Sequence, residues 1–537
     1  MNIRIARVLV VVLFVVCALG AQEPGTAGPM SRTEFITLVN EKTPVADIAA
    51  QARARGLAFE IDSELEAALL KVEGGAELIS ALRAPATLEL SVGVPGAEIS
   101  VDSEQRPPAS AEGATVVPNL SPGNHLVRVQ AERHVGERLM VFLKPGETKR
   151  VEVKLNPSVE AKPGLLGVEF NVRAGTQEDT LVATIENTPD PGQRAEKLQG
   201  LIQRYAGNPL ALLGQRLLQG AYLEQERFDD ALATGKTLLE QDPGNYLARL
   251  RQAQAYLGKG DLESAFGSAD QARRLLGQAQ TAPAPEGLTP ETWEEQKQPA
   301  LESAEASFQQ LAYNFYVTAF QVTDPRRKAT YLERFVELYP ESDYRQSATV
   351  NLALAYQQQG DLGKTLEWGN KALEGNPDEG PILMLVSDLL SERGQELGRA
   401  RQLASHLLEL LENNPEAVRP AGMDDAQWAN WSQLWKGTAH SALGQVLMHE
   451  ETATSPAGMT KTRQAIDEFT VAGPLLKGQT QLYARNLFRL GFAQAKVGEL
   501  TQAQDTLNEV ISLETPYTGP AQELLQRVVE GLQRRKK

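Results

Sequence analysis

Across most of its length the chain repeats itself with a period of 34 residues, and a repeat of that length admits few folds. Tyr222 and Tyr256 are one period apart, and so are Ala231 and Ala265. Offsets inside each unit also hold, since Tyr222 to Pro243 matches Tyr356 to Pro377 and Gly260 to Ala265 matches Gly498 to Ala503. Each mark has a physical task. A small residue lets two antiparallel helices approach closely, a glycine closes the first helix in a left-handed turn, and a proline stops the second. Stacked units of this kind build a surface, not a reaction centre.

The unit from Leu212 to Asn245 holds Tyr222, Ala231 and Pro243 in register, and the next keeps Ala253, Tyr256, Gly260 and Ala265. A unit near Gln346 keeps Ala353, Tyr356, Gly360, Ala372 and Pro377, with Thr365 where alanine is usual, and another from Ala484 keeps Gly491, Gly498 and Ala503. This spacing resembles the tetratricopeptide repeat. Degenerate pairs fill the intervals, at Leu301 to Val322 with Arg326 to Tyr339, Pro381 to Arg393 with Gly398 to Asn413, and Ala426 to Met448 with Thr460 to Leu476. The expectation is about six to seven helical units over 192–537, closed by a capping helix from Pro520 to Arg534.

Ahead of the repeats, Ser31 to Ala84 carries short helical patterns with Asp62 as a cap, and a small helical domain is expected over 31–86. From Thr87 the hydrophobic period switches to two, with six short runs up to Leu155 separated by Pro95-Gly96, Pro107-Pro108, Pro122-Gly123 and Pro145-Gly146. That pattern predicts a small β-sandwich over 87–156. The segments Val94 to Asp102, Leu120 to Val129 and Val151 to Leu155 resemble the PEGA domain of bacterial envelope proteins, which implies a noncatalytic module. Ser103 stands where that family usually has glycine after Asp102. Residues 157–191, with prolines at 157, 163, 189 and 191, read as a linker, and 277–300 as an exposed loop with a short helix. The predicted fold class is therefore multidomain α+β, with a mainly α solenoid preceded by a β-sandwich and a short helical domain.

The first 21 residues read as an export signal, with Arg4 and Arg7 before the apolar run Val8 to Leu19 and Ala21 at a small-residue cleavage site. Twelve apolar residues rise about 18 Å against a hydrocarbon core of about 30 Å, so the run is too short to span. No later stretch is long and apolar enough either. Cys17, the only cysteine, follows Val16 where lipid attachment wants a small residue, and it would leave with the signal. An exported, periplasmic or surface-associated protein is expected. The net charge of −16 argues against a nucleic-acid groove, which needs clustered lysine and arginine.

Catalytic constellations are missing from the pattern. Gly235-Lys236-Thr237 and Gly363-Lys364-Thr365 lack the earlier glycine of a phosphate-binding loop, Asp230 and Gln358 standing there instead. His449-Glu450-Glu451 has Ala453 where a zinc protease needs a second histidine. No cofactor, no metal and no enzymatic activity are expected. Two aromatic sets stand out, Trp428, Trp431 and Trp435 on one helix face and Phe308, Tyr313, Phe315, Tyr316 and Phe320 around another, and periodic aromatics of this kind usually pack in a core.

The repeat resemblance implies a concave face lined by first-helix side chains, here Arg216, Leu223, Leu250, Gln254, Leu354, Gln357, Arg485, Phe488, Phe492 and Lys496 among others. The Lys and Asn arrangement that grips a terminal carboxylate in chaperone-binding repeats is absent. A mixed apolar and polar groove suits a helix or extended segment of another protein. The function expected is a noncatalytic interaction scaffold or assembly factor of the bacterial cell envelope. The alternative from a different class is that the β-domain recognises a cell-wall glycan or surface ligand and the repeats couple it to partners.

Overall fold

The structure is a computed structural model that describes residues 28–420, 422–450 and 456–536. The expected export signal lies outside the described residues. Among those described, no helix is long and apolar enough to cross a membrane. The described residues divide into two compact units, one of 28–164 with 168–217, the other of 165–167 with those from 218 to 536.

In the first unit, helices Arg32–Asn40, Val45–Arg55, Ser63–Leu69 and Gly75–Leu82 enclose Phe35, Ile48, Leu65, Leu78 and Leu82. Asp62 starts the third of these, its carboxylate accepting the Leu65 N–H at 2.8 Å. A two-sheet sandwich follows. Its strands are β1 (Ala86–Ser91), β2 (Glu98–Val101), β3 (Glu104–Arg106), β4 (Ala114–Leu120), β5 (Gly123–Gln130), β6 (Glu137–Leu143) and β7 (Thr148–Glu152). One sheet runs β4-β1-β7 and the other β3-β2-β5-β6, with β1 and β7 parallel and the remaining pairs antiparallel. Alternate residues of both sheets, Leu88 and Leu90 with Ile99, Val101, Val127, Val129, Val141 and Leu143, fill the core.

The strand absent from the sequence reading is β3, and a tight turn creates it. Asp102 and Ser103 have φ of 54° and 74°, the left-handed pair of a two-residue hairpin, so Ser103 does the work usually given to glycine. Local bonds hold Asp102 there. One carboxylate oxygen accepts the Leu126 N–H at 2.9 Å and the other meets Nδ1 of the buried His125 at 2.5 Å. Burial would raise the Asp102 carboxyl, but those two hydrogen bonds keep it below its usual value.

Residues 157–191 are not a plain linker. They carry a hairpin of β8 (Val159–Lys162) and β9 (Glu169–Val172), then helix Gln177–Glu186 capped by Thr176. Two four-residue strands give too little alternation to be seen, and Pro163 falls in the connection between them. The loop expected over 277–300 is also largely helical. Helix Leu262–Gln280 runs into it and helix Pro290–Gln309 continues through Pro299, anchored where the buried Lys297 donates to the Gln280 carbonyl at 2.8 Å.

The second unit is an array of antiparallel helical hairpins like those of tetratricopeptide repeats. Six follow one another: Tyr246–Gly258 with Leu262–Gln280, Ala312–Gln321 with Pro325–Leu338, Arg345–Gln359 with Leu362–Gly375, Gly380–Arg393 with Leu397–Asn413, Asp425–Glu450 with Pro456–Leu476, and Thr480–Val497 with Leu500–Ser512. The first helix of each is called A and the second B. Helix Phe228–Gln241 packs ahead of them and Thr518–Lys536 closes the array. Ala231, Ala253, Ala265, Ala353, Ala372 and Ala503 are fully buried where helices cross. Thr365 fits an alanine position because its hydroxyl returns to the Asp361 carbonyl at 2.7 Å, which leaves no unpaired polar group. At Gly444 a Cβ would come within 2.6 Å of the Phe469 ring, so glycine sets the spacing of the fifth hairpin.

Candidate functional site: the A-helix face

Three positions expected to line a groove are already engaged. Leu250 is buried in the array core. Arg216, in the first unit, donates to the Val168 carbonyl and lies 4.7 Å from the centre of the Phe170 ring, so it packs against the β8–β9 hairpin. Arg485 donates to both Asp388 oxygens at 2.8 Å and to Glu392 at 3.1 Å, joining the A helices of the fourth and sixth hairpins. One turn on, Arg489 is buried, 4.0 Å from Asp388, 3.9 Å from Glu392 and hydrogen-bonded to Ser441 on the A helix between. Burial, and then the charge of Arg485, lower Arg489 to about 10. Of the two basic groove positions expected at this end, Arg485 is spent inside the protein while Lys496 stays exposed.

The remaining positions differ in exposure. Leu223 and Leu354 are half-buried, while Gln254 and Gln357 are exposed. Phe488 is half-buried, its ring 5.9 Å from that of Tyr517, whereas Phe492 is 41% exposed with the Lys496 ammonium 5.4 Å from its centre.

A stronger feature lies on the A helix of the second hairpin. Phe308 and Phe315 of the aromatic set are fully buried, as expected of core residues, but Tyr313 and Phe320 are 54% and 46% exposed. With the half-buried Tyr316 they recur at i, i+3 and i+7, which places all three on one stripe. Tyr344 extends it, its ring 5.4 Å from both Tyr313 and Tyr316, and Tyr316 lies 6.1 Å from Phe320. Asn351 of the next A helix donates to the Tyr316 hydroxyl at 3.4 Å, so the stripe abuts the face that carries Leu354. Burial pushes the Tyr316 hydroxyl up. The result is a preformed apolar ledge with phenol groups at its edge, the composition of an interface hot spot. The tryptophan helix divides likewise, with Trp428 and Trp435 buried and Trp431 45% exposed.

Both Gly-Lys-Thr tripeptides lie within B-type helices, where Lys364 bonds Tyr356 at 2.8 Å and Glu333 at 3.1 Å. His406 and His440 contact Asp378 at 2.6 Å and Glu468 at 2.7 Å. Among the described residues no group of three or more His, Cys, Asp or Glu could hold a metal ion.

No protein-family model matches the sequence, and no curated protein matches it. Solved structures similar to it include the P58(IPK) TPR domain, with 13% identity over 67% of this chain and 100% of that one at a TM-score of 0.23. The APC/C hetero-tetramer Cut9-Hcn1 is similar at 12% identity over 67% and 91%, TM-score 0.22, and the yeast Tom70 at 13% over 67% and 97%, TM-score 0.18.

Proposed function

We propose that this protein is a noncatalytic interaction scaffold that holds segments of partner proteins on its A-helix face, centred on Tyr313, Tyr316, Phe320 and Tyr344. The observation that carries the reading is the contiguity of these four rings at the surface, because Trp431 and Phe492 are exposed singly whereas Tyr313, Tyr316, Phe320 and Tyr344 form one joined apolar patch. The export pattern around Arg4, Arg7 and Ala21, with the PEGA-like segments, supports a place in a bacterial cell envelope. Sugar rings are commonly held against aromatic faces, and the sandwich contains a single aromatic residue, Phe142, so the glycan reading is not advanced.

A photocrosslinking residue at position 320, introduced in the native host, should capture a defined partner protein, while one at the exposed Glu302 should not. Phe320→Ala with Tyr313→Ala should then weaken binding of that partner by about 2 kcal/mol or more. Wild-type affinity in the folded double variant would remove the ledge from the site.

A further inference from the structure

The B-helix side of the same region carries a cleft of about 980 Å³ between helices Pro325–Leu338 and Leu362–Gly375, with the start of helix Arg345–Gln359 as its third wall. Six carboxylates line it against two cations, Arg345 and Lys371. Glu333 and Glu367 are paired, to Lys364 and Lys371, but Glu337, Glu341, Asp343 and Glu374 have no ion-pair partner among the described residues. Their positions run against helix electrostatics. Glu337 and Glu374 sit in the last turns of the two B helices, where the helix dipole is already negative and neither last turn contains a basic residue. A cation that entered would meet both helix ends and their carboxylates together.

Two further observations separate this cleft from an ordinary solvated face. Trp368 lines it, is 9% exposed, and its indole N–H has no acceptor in the protein. The corresponding groove between helices Phe228–Gln241 and Leu262–Gln280, about 550 Å³, is lined by Lys236 and Arg249 and by no carboxylate. The hairpin architecture makes such grooves without dictating their charge. We propose that the acidic cleft binds a lysine- and arginine-bearing segment of a partner protein, a second contact that rests on the scaffold reading and adds the class of partner it takes.

The test uses the full chain and a fluorescein-labelled peptide of repeating Lys-Ala-Arg-Ala units, titrated by anisotropy at several salt concentrations. The combined variant Glu337→Lys, Glu341→Lys, Glu374→Lys should weaken binding at least about tenfold and flatten its salt dependence. It should fold, because lysine suits the helix C-terminus at positions 337 and 374. The same charge change at the exposed Glu302, Glu409 and Glu523 should alter binding less than about twofold. Equal loss in both variants would mean that the peptide follows net charge, and the proposal would fall. The Trp368 indole N–H resonance, assigned with Trp368→Phe, should shift on peptide addition, and binding that leaves it unmoved also overturns the cleft. Self-association through residues 534–537, Arg-Arg-Lys-Lys, that the cleft variant abolishes would make the occupant a second copy and remove the partner assignment. Phe320→Ala should leave peptide affinity unchanged, so failure of the aromatic ledge and failure of the cleft are read separately.

Discussion

Helices Ala312–Gln321 and Thr480–Val497 are both A helices bearing aromatic side chains, yet they resolve their surfaces in opposite ways. In the later helix two of the three cationic positions turn inward, where Arg485 and Arg489 meet Asp388 and Glu392 on another hairpin, and only Lys496 stays exposed. The earlier helix carries no charged residue of its own, and joined rings remain at its surface. The difference teaches that an A-helix position does not identify a binding residue. What decides is whether a neighbouring A helix supplies the complementary group first.

The largest effect should come from breaking the buried ion pairs. Asp388→Ala would leave Arg485, whose side chain is 12% exposed, with Glu392 alone and remove one of the two carboxylates beside the buried Arg489, at a cost of about 3–5 kcal/mol. Thermal melting checks it, and a loss below about 1 kcal/mol would show that water screens the cluster and that the two helices are more alike than the geometry says. An intermediate effect separates the aromatics. Phe488→Ala should lower stability by about 1–2 kcal/mol through its lost packing on Tyr517, whereas Phe492→Ala or Tyr313→Ala should stay within about 0.5 kcal/mol. Equal melting curves for Phe488→Ala and Tyr313→Ala would erase the contrast. The smallest change is expected at Lys496→Ala, which removes an exposed cation–π contact with Phe492 worth about 0.5 kcal/mol, detectable by chemical denaturation.

Much of the architecture was legible because it is written locally. Tyr356, Gly360 and Ala372 stand at fixed offsets because each serves its own hairpin, and Gly360 closes its helix with a φ of 73°. The sandwich showed through its period of two, as at Leu88 and Leu90 or Val127 and Val129. The hairpin at 159–172 did not, being too short for a period. Strand β3 was missed because Ser103 adopts a conformation that sequence rules reserve for glycine. The aromatic set around Phe315 was visible, but its spacing could not say which rings face inward.

The amino-acid sequence by itself determined the units, since helix caps, crossing alanines and alternating strands act over a few residues and need no distant partner. The site depended on contacts between residues far apart in the chain. Arg485 meets Asp388 across 97 positions, and that pairing withdrew it from the surface. Likewise the ends of two B helices gathered Glu337 and Glu374 into one cleft, because only packing brings together dipoles and charges that the chain keeps apart.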